Sequence, residues 1–141
     1  MQVEPNPAAP RKLPELEPLT AAFWTGGEHG KLRIQHCGDC GHWQHPPLAR
    51  CPKCHGANLS ADAVSGRGRV QTFTINHQAW IKGVDPRFVF AVIALDEQPE
   101  LYVFSNVLAD PERMRSGMQV EVCFERNDDV WIPLFRPVGE S

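Results

Sequence analysis

Four cysteines carry the clearest chemistry in this chain. Cys37 and Cys40 form one Cys-x-x-Cys pair and Cys51 and Cys54 form a second. Thiolates in two such pairs can close a tetrahedral site around one zinc ion, and four ligands leave no open position for water or substrate. The ten residues between the pairs are fewer than the usual ribbon spacing, but they suffice for a loop that brings both pairs to one ion. Gly41 and Gly56 lie just past the two pairs, where backbone N–H groups turn toward sulfur, and Pro52 stiffens the second turn. The rival is a redox iron site. Paired cysteines without an export signal favour structural zinc in a reducing, cytoplasmic setting over iron or disulfides.

The other reactive side chains are less organised. His36, His42, His45 and His55 crowd the same stretch, but four thiolates already fill the site, so these are expected at the surface or behind the ligands. None pairs visibly with a serine and an aspartate. Cys123 falls on the Gln119/Glu121/Glu125 side of a predicted strand, where the carboxylates would raise its pKa, and it reads as a bystander. No catalytic residue is predicted.

The elements that must position the cysteines are mostly strands. Thirteen prolines and eleven glycines in 141 residues point to many turns, and a hydrophobic content of 42% is enough for a packed core. Residues 1–14 are Pro-rich and read as a flexible or extended leader rather than a signal peptide. Leu16, Leu19, Phe23 and Trp24 then recur at helical spacing, with Gly26-Gly27 as the stop, which predicts a short amphipathic helix over 16–25. Phe23 and Trp24 either anchor that helix or form one wall of a groove for a ligand or partner. A brief strand around Leu32 and Ile34 leads into the ribbon, and 56–63 returns from it. A ribbon of about thirty residues cannot bury its own core, so metal must supply much of its folding free energy.

From Gly66 onward five strands and one short helix are predicted. The first runs over 70–77, with a slip in apolar phase between Val70 and the Phe73/Ile75 pair that implies a bulge. Residues 88–95 are almost continuously apolar, as for a strand buried on both faces, and 101–107 form the third strand. Asp110-Pro111 caps and opens a short helix ending at Gly117. Residues 118–125 alternate as a half-buried fourth strand, and 130–135 form the fifth. Strand, strand, strand, helix, strand, strand is the order of an OB-fold barrel. The expected fold is therefore mainly β: leader and helix over 1–30, zinc ribbon over 31–63, five-stranded barrel over 64–141.

Charge bears on partners. Residues 1–70 carry eight Lys/Arg and six Asp/Glu, and residues 71–141 carry six and eleven, giving +2 and −5. An acidic barrel weighs against nucleic acid, whose binding draws on phosphate neutralisation, although single-stranded nucleic acid remains the alternative ligand for an OB groove. Trp80, Ile81 and Lys82 fall in the loop between the first two barrel strands, which OB-folds use for ligands. Trp80 and Ile81 are too apolar to be left in water: the loop either caps the barrel or docks into a partner or acyl chain. Arg67 and Arg69 are either phosphate contacts, as for coenzyme A, or a solvated strand entry.

Taken together, the chain resembles a family of rubredoxin-like zinc ribbons fused to an OB-fold, whose members are associated with acyl-CoA metabolism and thiolase-like enzymes. The likeness runs from about residue 16 through Phe23-Trp24, Lys31-Leu32, the 37–41 and 51–54 knuckles, Pro46-Pro47, Ser65 to Val70, Thr74, 117–122 and Phe135-Arg136-Pro137. It departs from the family after the second barrel strand, where Asp96-Glu97-Gln98-Pro99-Glu100 replaces a common Glu-Gly. The resemblance implies a non-catalytic accessory subunit, hetero-oligomeric with a thiolase or retro-aldol lyase of sterol, fatty-acid or polyketide metabolism, with acyl-CoA as a further contact. No apolar run approaches transmembrane length, so no membrane association is expected.

Overall fold

The computed structural model describes residues 2–4, 12–77 and 87–139. Trp80, Ile81 and Lys82 lie outside the described residues. Among those described, no helix is long and apolar enough to cross a membrane.

Among the described residues, nine strands make two sheets. The larger holds β1 (Gln2–Val3), β5 (Arg67–Asn76), β6 (Phe88–Leu95), β7 (Tyr102–Val107), β8 (Gln119–Asn127) and β9 (Val130–Pro137). Its order β8-β5-β6-β7-β9, with β9 returning to β8, closes a five-stranded barrel. Within the barrel the pairings are antiparallel except β7 with β9, which meet in parallel at Val107 and Phe135. That connectivity is the OB-fold. The predicted bulge is present: the β5–β6 register slips between Val70 and Thr72, which lets Val70 point inward while the strand bends round the barrel. The 3-10 turn Pro111–Arg113 fills the gap between β7 and β8, with the Asp110 carboxylate accepting the Glu112 N–H at 3.0 Å.

The 88–95 run departs from expectation. It alternates: Val89, Ala91, Ile93 and Leu95 fill the barrel, while Phe88 and Phe90 point outward, 44% and 41% exposed. Period-2 alternation is invisible when both faces carry apolar residues. Part of the leader also departs from a flexible segment: β1 pairs in parallel with β8, Gln2 beside Phe124.

The helix is shorter than predicted. α1 spans Ala21–Thr25 only, and Pro18 disfavours helix at Glu17 before it. Leu16 and Leu19 consequently lie exposed. Gly26-Gly27 does not stop the chain. It continues as the 3-10 helix Gly26–His29, and the stop comes at Gly30, which takes the left-handed conformation at φ 68°.

The second sheet is the ribbon: β2 (Leu32–Cys37) between β3 (Trp43–Gln44) and β4 (Leu59–Val64). Leu32, Ile34 and Val64 join the barrel's own core cluster, so ribbon and barrel share one hydrophobic interior. Gln98 ties them further. Its Oε1 accepts the Trp43 N–H at 2.9 Å and its Nε2 donates to the Trp43 carbonyl at 3.0 Å.

Candidate metal centre and aromatic groove

Two matching turns present the cysteines. In the first, the Gly41 N–H donates to the Cys37 carbonyl at 3.0 Å, and in the second the His55 N–H donates to the Cys51 carbonyl at 2.9 Å. Gly41 (φ 79°) and His55 (φ 65°) hold equivalent left-handed positions, so the second turn uses His55 where Gly56 was expected. Gly56 serves by size instead: a Cβ there would stand 3.3 Å from the Cys54 sulfur. A latch joins the turns, Asn58 donating to Asp39 at 3.0 Å and accepting the Gly38 N–H at 2.8 Å.

The four sulfurs lie within 4.8 Å of one another, with Cys37 to Cys54 at 3.6 Å and Cys40 to Cys51 at 3.5 Å. Zinc–sulfur bonds of about 2.3 Å at a tetrahedral centre put sulfurs about 3.8 Å apart, so the set fits zinc. The four thiols do not titrate alike. The Cys40 and Asp39 N–H groups hold the Cys37 thiol below its ordinary value, and that of Cys54 draws Cys51 down to about 7. Cys40 goes the other way, to about 12: the His42 N–H pulls it down, but desolvation and the neighbouring sulfurs outweigh that. Cys54 is raised similarly, its Gly56 N–H outweighed by the Cys37 sulfur and by burial. Four thiolates this close need a cation. Zinc supplies a closed cross-link here and no catalytic position.

The histidines divide. His36 stacks on Trp43 at 3.8 Å and pairs with Asp62 at 2.9 Å, and His42 bonds Gln44 at 3.2 Å. His45 is different. It lies flat against Phe23 at 4.6 Å, and desolvation lowers its pKa to about 4, so it is neutral near pH 7. From sequence it belongs with the ribbon histidines expected at the surface or behind the metal ligands. The cue was the apolar Pro46-Pro47 that follows it. Cys123 is fully buried rather than on a polar face, and burial raises its pKa ahead of the opposing pull of Arg136.

Phe23 and Trp24 meet edge to face at 4.8 Å. With His45, Pro46, Tyr102 and Phe104 they line a cavity of about 500 Å³ between α1, the ribbon and the barrel. Phe104 is 65% exposed at its rim and meets Phe90 at 6.2 Å. An aromatic surface thus runs from the cavity onto the outer face of β6 and β7. Arg67 and Arg69 are not part of it. They line a separate cleft with Asp96 and Gln119, and Arg69 donates to the Gly117 carbonyl at 3.0 Å.

A zinc ribbon locked to an OB barrel through a shared core defines a two-part β protein that carries a metal site but no catalytic constellation among the described residues. Residues 24–60 match the family described as the ChsH2 rubredoxin-like zinc ribbon domain, and residues 61–125 match the ChsH2 C-terminal OB-fold domain. The chain belongs to this ribbon-plus-barrel family. It is 28% identical over 137 residues to a probable enoyl-CoA hydratase alpha subunit of Thermomonospora curvata, covering 96% of this chain and 43% of that protein. It thus spans less than half of that relative. Against the benzoylsuccinyl-CoA thiolase subunit BbsA of Thauera aromatica it is 28% identical over 120 residues, 80% of this chain and 81% of the other. The solved Ltp2-ChsH2(DUF35) aldolase shares the fold at a TM-score of 0.79, with 24% identity over 89% of this chain and 98% of that one.

Proposed function

We infer that this chain is a non-catalytic accessory subunit, cytoplasmic and hetero-oligomeric, of a thiolase-like acyl-CoA enzyme: a thiolase or retro-aldol lyase of sterol, fatty-acid or polyketide metabolism. The observation that carries this reading is the aromatic surface formed by Phe23, Trp24, Tyr102, Phe104, Phe90 and Phe88 across three elements. A contiguous apolar area of that kind marks an interaction site. The extended likeness to a thiolase subunit supports the same class of partner. In this reading the parts 1–30 and 31–63 contribute Phe23, Trp24, His45 and Pro46 to the docking groove, and 64–141 contributes Tyr102 and Phe104. Arg67 and Arg69 are available for phosphates of an acyl-CoA held between the subunits.

One observation favours a second reading. The outer face of β6 and β7 is the face on which OB-folds bind oligonucleotides, and exposed phenylalanines are stacking platforms. The −5 charge of residues 71–141 opposes it.

Co-expression with thiolase-fold proteins encoded beside this gene, followed by size-exclusion chromatography, tests the first reading. A stable complex that weakens at least about tenfold in Phe104→Ser supports it. If no thiolase-fold neighbour co-elutes, and the chain binds a labelled oligo-dT with steep salt dependence, the second reading replaces it.

A further inference from the structure

A second cavity, of about 180 Å³, lies on the other side of the Phe23–His45 stack, between α1 and the ribbon sheet. Its walls are largely apolar: Leu19, Phe23, Pro47 and Leu59. One cation enters it. Arg33 stands on β2 opposite Ala63, beside Gln35 opposite Ala61, so both side chains share the face that looks toward α1. Gln35 is held by the backbone of Leu48, its Nε2 donating to the Leu48 carbonyl and its Oε1 accepting the Leu48 N–H. Arg33 has no hydrogen bond or ion pair among the described residues, and its Nε is shielded from solvent without an acceptor. Among the described residues, no acidic side chain lines the cavity. Asp62 projects from the opposite face of β4, where His36 and Ser60 hold it.

A partly desolvated guanidinium with an unfilled N–H is a standing deficit, and the acceptor that satisfies its planar fork best is a carboxylate. One arginine with no second cation suits a single negative charge better than a phosphate dianion. The apolar walls ask for hydrocarbon behind that charge. We propose that the Arg33 cavity is a binding site for a carboxylate carried on a short apolar stem. Two sources share that chemistry: a free organic acid, or an acidic side chain of the docked protein. The second rests on the accessory-subunit reading, and the first does not.

Hexanoate, inorganic phosphate and chloride are titrated at constant ionic strength into the zinc-loaded full-length protein. The Arg Nε–Hε resonances in ¹⁵N spectra and Trp24 fluorescence report binding. The expected result is a saturable hexanoate response that shifts one arginine resonance, and that resonance is absent in Arg33→Gln. Arg33→Lys, which keeps the charge without the fork, should bind hexanoate about tenfold more weakly than wild type. An unsaturable response, an equal response to chloride, or full binding by Arg33→Gln would overturn the site. Both variants must keep their zinc and their melting temperature within a few degrees; Arg33→Ala with hexanoate present serves as the check if they do not. If hexanoate also competes with the thiolase-fold partner, and Arg33→Gln weakens that complex about tenfold, the carboxylate is the partner's. If the complex is untouched or never forms while hexanoate still binds, the ligand is a free acid.

Discussion

Replacing Gly27 with alanine should loosen the joint that aims the aromatic groove. Gly27 sits in the first turn of the 3-10 helix after α1 and lies directly on the barrel. A Cβ at this position would stand 2.5 Å from the Cβ of Trp131 and 2.6 Å from the Phe124 ring, against 3.4–4 Å for ordinary contact. The shortfall is about 1 Å, and neither partner can yield easily, since both are buried in the barrel wall. Overpacking of this kind costs about 1–3 kcal/mol. In a chain of 141 residues that corresponds to a melting temperature lower by about 3–10 °C. Backbone entropy alone predicts the opposite sign, a stabilisation of roughly 0.4–1 kcal/mol when glycine becomes alanine at an ordinary φ. Gly30→Ala is the control: its φ of 68° makes alanine strained, but nothing lies within 4 Å of the added Cβ, so stability falls without displacing α1. Thermal melts paired with Trp24 fluorescence separate the two. A Gly27→Ala protein that melts at or above wild type, with unchanged Trp24 emission, refutes the idea that this contact sets the position of α1.

Cys40→Ser should lower zinc content below one per chain and expose residues 31–60 first, read by metal analysis with hydrogen exchange; full zinc retention contradicts a four-thiolate site. Gln98→Ala leaves the N–H and carbonyl of Trp43 without their partners, at a cost of about 1–3 kcal/mol, and amide exchange at 43–44 should rise more than anywhere in the barrel. His45 carries a pH dependence of defined sign. Its folded pKa of about 4 lies below the ordinary 6.5, so the folded state binds the proton less well, and stability is full above pH 6.5 and falls as pH drops toward 4. The fall is about 3 kcal/mol at most, and His45→Gln should flatten that part of the urea-melt profile relative to wild type; parallel profiles would show that His45 is not desolvated.

The cysteine spacing made the metal site legible because ligand chemistry is local: two short turns and four like atoms specify it almost alone. Barrel order was legible for a similar reason, since a phase slip at Val70, a cap at Asp110-Pro111 and alternation over 118–125 are local signals too. What stayed hidden depends on contact between distant segments. Gly26-Gly27 carries the composition of a helix stop, and only Phe124 and Trp131, about a hundred residues away, turn it into a docking point. His45 looked like any ribbon histidine until Phe23 covered it. The 96–100 loop, which departs from the family pattern, supplies the Gln98 side chain that joins the barrel to the ribbon.

These distant contacts share one geometry. Zinc fixes the ribbon turns, the ribbon's Leu32 and Ile34 enter the barrel core, Gln98 pins Trp43, and Gly27 lays the helical segment on the barrel wall. Each removes one freedom from the same three bodies, and the two cavities open where those bodies meet, on either side of Phe23 and His45. A docking groove built at such a junction is sensitive to every fastening around it, although none of those fastenings need touch the bound partner. Metal loss and Gly27→Ala should therefore weaken partner binding together, whereas Phe104→Ser acts at the surface alone and should leave the melting temperature almost unchanged. That difference separates a metal that shapes the binding surface from one that only stabilises the chain.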